Sequence, residues 1–447
     1  MTGNAPRTFL ERVLNVFTEV RHGEAASALL LALNIFLILT AYYVLKPVRE
    51  ALILAGGGAE IKSYAAAGQA LLLLAAVPFY GWLASRVPRR VLINGVTLFF
   101  AGCLLAFYGL AQLHVPLGVV FFLWVGIFNL MVPAQFWAFA NDLYTPEAGK
   151  RLFVIVAFGA SLGAVFGSWL DSLLIAPLGV YQLMLVAAGV LALSLLITNG
   201  VDARERARRR DPAHPVTAAR TVEDEPLGQG GAFALVFRTR YLLLIALLML
   251  VLNWVNTTGE YILGRTVVSA AEQALASGAT GGLTKEEIIG GFYADFFTVV
   301  NIAGLLLQLF VVSRVLKYLG VGVAILILPL IALGGYLIAA FYPVLAMVRW
   351  AKTAENATDY SVQNTVRQVL FLPTTREQKY KAKQAIDTFF VRAGDVLSAV
   401  VVFAGTAWLA MSTQGFALFN VALVVVWLAI AFLIGRHYRQ LTADKGD

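Results

Sequence analysis

The sequence predicts an all-α membrane protein of twelve transmembrane helices arranged as two six-helix bundles. Composition, the spacing of apolar runs and the placement of basic residues carry that expectation. Of 447 residues, 60% are hydrophobic and only 13% charged, more apolar surface than a soluble chain of this size buries. The apolar runs divide into twelve candidate spans, at roughly 27–54, 64–84, 91–112, 117–141, 152–175, 180–199, 240–264, 291–312, 320–341, 343–368, 386–410 and 416–435. With the N-terminus in the cytoplasm, the inner segments carry Arg7, Arg12 and Arg21; Arg86, Arg89 and Arg90; Lys150 and Arg151; the Arg204–Arg210 cluster; Arg314 and Lys317; Arg376, Lys379, Lys381 and Lys383; and Arg436, Arg439 and Lys445. The outer loops carry little beyond Lys62, Arg265 and Lys285. This asymmetry obeys the positive-inside rule through all twelve spans and places both termini in the cytoplasm.

Taken in order, residues 1–25 mix charges with apolar residues and lack a small-residue cleavage site, so they do not read as a signal peptide. Phe9, Leu10, Val13, Leu14 and Phe17 share a helical face opposite Arg12 and Glu19, the pattern of an amphipathic helix lying on the inner leaflet. The first bundle takes residues 26–200 and the second 240–436. Between them, 201–239 opens VDARERARRRDPAHPV and continues polar, with proline and glycine, as a flexible basic cytoplasmic linker. Residues 437–447 form a cytoplasmic tail.

The net charge of +8 follows from those inner segments and requires no nucleic-acid partner. One cysteine, Cys103, excludes an internal disulfide, and the four scattered histidines (His22, His114, His214, His437) make no metal cluster. The chain has no phosphate-binding G-x-x-x-x-G-K-[ST] loop, no H-E-x-x-H pair and no G-x-S-x-G elbow. Gly56-Gly57-Gly58 reads as an outer-loop turn. Neither a cofactor, nor a metal, nor enzyme chemistry is expected, and any solute must move on solute or ion gradients.

Charges inside the spans point to the site. Arg349, Lys352, Glu355 and Asp359 recur every three or four residues in span ten, which sets them on one helix face. At bilayer depth such residues persist where they face a water-filled cavity or one another. The stripe is thus either a pathway for a charged solute or a helix contact stapled by ion pairs. Span one holds Lys46 and Arg49 on one side of a helix that Pro47 breaks. They suit an anionic group, unless both snorkel outward with Glu50 as partner. Span seven reads NWVNTTGEY, unusually polar for a membrane helix. Its Glu260 would bind a coupling proton, pair with a cation on span one or ten, or receive a ligand hydroxyl. Span eleven adds Asp387, Arg392 and Asp395. Arg392 is expected to pair with Asp395 or a span-ten carboxylate, in a structural or a gating role.

The two halves resemble each other. Ser85-Arg86-Val87 recurs as Ser313-Arg314-Val315, 228 residues on; Trp124 and Trp350 are 226 apart, Pro146 and Pro373 227. A nearly constant offset suggests a duplicated six-span unit, the plan of transporters built from two like bundles around a central cavity. The loop after span two, GWLASRVPRR (Gly81 to Arg90), resembles the G-x-L-a-D-R-x-x-R-R motif of the major facilitator superfamily, with Ser85 where that family has aspartate. YYVLKPVREALIL (Tyr42 to Leu54), FWAFANDLYTPEAGKRLF (Phe136 to Phe153), YADFFTVVNIAG (Tyr293 to Gly304) and KYKAKQAIDTFFVRAGD (Lys379 to Asp395) are similar to the ATP/ADP antiporters, the nucleotide transporter family of plastids and intracellular bacteria. The resemblance implies a major facilitator fold and exchange of nucleotides or phosphorylated anions by alternating access. It also implies four charged binding positions. Arg49 matches the first, where the family has lysine, Glu260 the third, and Lys381 or Lys383 the fourth. The second, an acidic residue in span four, is absent: LWVGIFNLMVPAQFWAFAND offers Asn129 and Gln135 but no carboxylate before Asp142.

Spans one, four, seven and ten are therefore expected to line the cavity. Its substrate-binding candidates are Lys46, Arg49, Asn129, Glu260, Arg349, Lys352, Glu355, Asp359, Lys381 and Lys383. Arg86, Arg314, Asp387, Arg392 and Asp395 are candidates for gating or ion pairing. The expected function is a secondary active transporter, a monomer in a bacterial inner membrane, exchanging nucleotides or other anionic metabolites. The alternatives are a proton-coupled transporter of another solute and a lipid-handling or scaffold protein that keeps the fold.

Overall fold

The computed structural model describes residues 18–21, 24–144, 146–209, 232–278, 280–375, 377–378 and 382–443. The expected amphipathic segment and most of the linker lie outside them, as does Lys381. The described chain is helical, and ten of its helices are long and apolar enough to cross a membrane. The first of these, Ala25–Arg86, has 62 residues, about 93 Å at the α-helical rise and so too long for one crossing. It breaks at Gly58, where φ is 73° and ψ −177°, a conformation that a residue without a β-carbon adopts at little cost. Spans one and two lie on either side of this one-residue break, where a loop was expected. Span ten does not qualify as one long apolar helix because it is interrupted. Leu345–Thr358 is α-helical, Asp359–Gln363 forms a π-helical turn, and Asn364–Val369 resumes the α-helix.

The remaining crossings follow the apolar runs. They are Arg89–Gln112, Gly118–Leu143, Arg151–Leu178, Gln182–Arg204, Arg240–Ala276, Lys285–Phe310, Val321–Phe341, Lys383–Ala407 and Thr413–Thr442. Local chemistry sets several ends. Span eight begins at a capping box, in which Glu287 N–H donates to Thr284 Oγ1 (3.3 Å) and Thr284 N–H to Glu287 Oε2 (2.8 Å). Span nine starts after Gly320, held at φ 73°. Large apolar side chains such as Phe99, Leu105, Leu196, Leu330 and Val425 remain exposed on the helices, as a lipid-facing surface requires.

The chain forms two compact units. One comprises Met1–Glu50, Ala75–Leu117 and Trp124–Asp224; the other comprises Ala51–Leu74, Gly118–Leu123 and Glu225–Asp447. In the first, span five lies directly on span one. Gly159, Gly163 and Gly167, four residues apart, face the backbone of Ala32, Phe36 and Thr40, and a β-carbon at Gly167 would stand 2.6 Å from the Thr40 carbonyl oxygen. Small residues at this spacing let helix backbones touch in a membrane. Asn34 Nδ2 donates to Thr198 Oγ1 (2.6 Å), tying span one to span six. Arg151 clamps Glu24 through two hydrogen bonds of 3.1 Å. Asp171 is fully buried in span five, and neither of its carboxylate oxygens has a hydrogen-bond partner among the described residues.

In the second unit, span seven forms the centre of the packing. Gly394 of span eleven brings its backbone within 2.8 Å, measured from an ideal β-carbon, of Leu250 O and Trp254 N. Thr258 and Ser398 hydrogen-bond across the same contact at 2.9 Å, and Asn420 of span twelve donates to Val255 O at 3.0 Å.

Candidate functional site

The polar run of span seven meets spans nine and ten at Gly259. A β-carbon there would overlap the Tyr336 hydroxyl and stand 3.0 Å from Lys352 Nζ. The bare backbone admits both side chains. Lys352 is 2% exposed and donates to Asn256 Oδ1 at 3.0 Å. Its ammonium lies 3.0 Å from Glu355 Oε1 and 3.7 Å from Glu260 Oε1. Tyr336 donates to both oxygens of Glu355, at 2.9 and 3.1 Å. Asn356 Nδ2 donates to Glu260 Oε1 at 3.2 Å, and Lys62 Nζ lies 3.6 Å from Glu260 Oε2.

Two ammonium groups and two carboxylates therefore share one cluster, in which Lys62, Lys352 and Glu355 are buried and Glu260 is half-buried. Taking such groups out of water costs several kcal/mol per ion, offset only where geometry and extra hydrogen bonds are good. Asn256, Asn356 and Tyr336 supply those bonds. The cluster is balanced in charge, so a cation in it becomes available to an outside anion only if a carboxylate lets go.

Beside the cluster lies a cavity of about 410 Å³ among spans seven, ten and eleven. Asn253, Asn256, Asp359, Gln363, Asn364 and Arg367 give it a polar wall, and Met249, Leu252 and Val391 an apolar one. Asn256 belongs to both wall and cluster. The π-helical turn carries Asp359 onto the cavity, whereas Lys352 and Glu355 reach the cluster.

The structure thus joins Glu260, Lys352 and Glu355 directly and sets Asp359 on the adjoining wall. Arg349 lies over the Phe292 ring, 5.5 Å from its centroid. Arg392 pairs with Asp395 at 3.2 Å, while Asn253 Nδ2 and Thr257 Oγ1 also donate to Asp395 at 2.8 and 2.7 Å. Lys383 pairs with Asp387 at 2.7 Å, and Arg367 Nε approaches the same carboxylate at 3.9 Å.

The other candidates lie in the first unit or at helix ends. Lys46 is buried with its ammonium 5.2 Å from the Tyr43 ring centroid. Arg49 Nε donates to Glu50 Oε1 at 3.1 Å, the local pairing that the sequence left open. Asn129 is exposed on span four, whereas Gln135 is buried and donates to Ile93 O at 3.3 Å. Arg86 lies over the Trp82 ring at 4.4 Å, and Arg314 donates to the Phe310 carbonyl. In the loop motif it is Arg89 that reaches carboxylates, Asp142 at 3.1 Å and Asp202 at 3.3 Å.

Sequence reasoning missed Lys62, Tyr336, Gln363 and Arg367. Gln363 and Arg367 lie four and eight residues beyond Asp359, so extending the charged stripe would have reached them. Tyr336 sits in an apolar run and carried no signal.

Residues 28–354 match the family model of the Major Facilitator Superfamily. The ADP,ATP carrier protein 1 of Chlamydia trachomatis is 21% identical over 354 residues, and that of Chlamydia muridarum 22% over 358. Each match covers 71% of this chain and 64% of the carrier, so the chain spans under two thirds of the length of these curated relatives. Among solved structures, the nucleoside transporter NupG superposes with a TM-score of 0.63 at 11% identity, covering 90% of this chain and 98% of that one. A POT family transporter in complex with 5-aminolevulinic acid gives 0.62 at 13%, covering 96% and 99%. At these identities the likeness establishes a common fold. The match of the family model across most of the chain identifies this protein as a member of the Major Facilitator Superfamily of membrane transporters.

Proposed function

We propose that this protein is a secondary transporter that works by alternating access and exchanges nucleotides or other phosphorylated or anionic metabolites. The observation that carries this reading is the buried cluster of Lys62, Lys352, Glu260 and Glu355. Without a solute, each ammonium is held by a carboxylate of the protein. A phosphate arriving from the cavity beside Asn256 competes for Lys352 with charge-assisted hydrogen bonds of its own. Exchange fits this arrangement, because each cation of the cluster is balanced by a carboxylate that an incoming anion can replace. A departing anion leaves a site that another anion or Glu355 must refill. The ADP,ATP carrier relatives support nucleotides as the solute class.

The charge asymmetry along the sequence supports cytoplasmic termini, and the bacterial carrier relatives support a bacterial inner membrane. Counter-flow tests the exchange reading: proteoliposomes preloaded with ATP should take up labelled ADP, and empty ones should not. Equal uptake by both would overturn it. A second reading, proton-coupled transport, is favoured by the Tyr336–Glu355 bond, which places a hydroxyl on a buried carboxylate. It predicts uptake into empty vesicles driven by an imposed pH gradient.

A further inference from the structure

One buried group is used by neither the ion cluster nor the packing. Gln363 closes the π-helical turn of span ten, lines the 410 Å³ cavity and is only 2% exposed. Neither its Nε2 nor its Oε1 has a hydrogen-bond partner among the described residues. A buried carboxamide left unsatisfied is costly and rare. Single π-helical turns also concentrate at functional sites. The neighbouring amide does not share this state, since Asn253 Nδ2 donates to Val391 O at 2.7 Å and to Asp395 at 2.8 Å.

A free carboxamide offers a donor and an acceptor side by side in one plane. Its complement is a planar group with an acceptor beside a donor, and adenine presents such an edge, which glutamine reads through two hydrogen bonds. The rest of the wall fits the same solute. Met249, Leu252 and Val391 give an apolar surface for a ring face. The Asp359 carboxylate accepts from sugar hydroxyls, and the Arg367 guanidinium suits a phosphate oxygen. We infer that this cavity is the subsite for the base-bearing end of the transported anion, with Gln363 reading the donor–acceptor edge of the heterocycle. The inference rests on the nucleotide reading above and deepens it.

Calorimetric titration of the purified full chain with ATP and with tripolyphosphate separates the two. The parent should bind ATP more tightly than tripolyphosphate. Gln363→Leu should weaken ATP by about tenfold or more and leave tripolyphosphate unchanged. Gln363→Met, uncharged and of nearly the same volume, should weaken ATP too, which guards against a packing artefact in the leucine variant. If ATP binds the variants as it binds the parent, Gln363 holds only water and the inference falls while the nucleotide reading stands. It falls equally if the parent binds both anions alike, or if the variants lose both to the same degree. If the parent binds neither anion, the nucleotide reading itself is overturned, and the base subsite with it.

Discussion

The Tyr336 hydroxyl occupies the space that a β-carbon would take at Gly259, and from there it donates to Glu355. One missing side chain on span seven thus lets a tyrosine of span nine hold a carboxylate of span ten. Gly259→Ala forces that hydroxyl aside, and overpacking of this kind costs about 1–3 kcal/mol. Thermal unfolding of the purified protein should show the loss. Combining it with Tyr336→Phe, which removes the colliding oxygen, should recover part of it, because the two sites are coupled.

Lys352→Met removes the ammonium shared by Glu260 and Glu355. Glu260 keeps Lys62, but Glu355 is left with Tyr336 alone. Breaking a buried pair by deleting one partner costs about 3–5 kcal/mol. The double variant Lys352→Met, Glu355→Gln should regain most of the lost stability. Under the exchange reading it should still fail in nucleotide counter-flow, which separates folding from transport.

The glycine ladder of span five gives a sharp contrast. A β-carbon at Gly163 would overlap the Phe36 carbonyl oxygen, whereas at Gly189 of span six nothing lies within 4 Å. Gly163→Ala should lower stability by about 1–3 kcal/mol. Gly189→Ala should be neutral or gain about 0.5 kcal/mol from the lower chain entropy. Equal melting shifts for the two would contradict the packing of spans one and five.

Asp171 carries two carboxylate oxygens with no hydrogen-bond partner among the described residues. Exchange for an apolar side chain of similar size removes that cost. Asp171→Leu should therefore unfold at the same temperature as the parent or higher. A clear drop would mean that the carboxylate is held by a bond that the packing does not display.

Much of this was legible in the sequence. Helical membrane spans follow from composition, and Glu260 stood out because a carboxylate among asparagines and threonines has no place in a lipid-facing helix. Its pairing with a span-ten cation, and that of Arg392 with Asp395, were among the expected outcomes. What stayed hidden depended on geometry that period and composition do not encode. Lys62 looked like a loop residue, because the break at Gly58 consumes one residue instead of a loop. Asp359 looked like a member of the Lys352–Glu355 stripe, because a uniform 3.6-residue period omits the π-helical turn that moves it to the cavity wall. Asp171 is a lone carboxylate in an apolar run and Gln363 one amide among the polar residues that follow Asp359, and only three-dimensional burial shows that they lack hydrogen-bond partners among the described residues.

The contact between spans one and five has a mechanical consequence. Along Gly159, Gly163 and Gly167 no side chain separates the two backbones, so neither helix can slide or roll past the other without a carbonyl striking a Cα. The pair behaves as one stiff beam. Strain arriving at either helix is handed to both, and bending is confined to points beyond the ladder where the helical hydrogen-bond pattern is already interrupted. On span one those points are Pro47, just past Thr40, and Gly58 at the end.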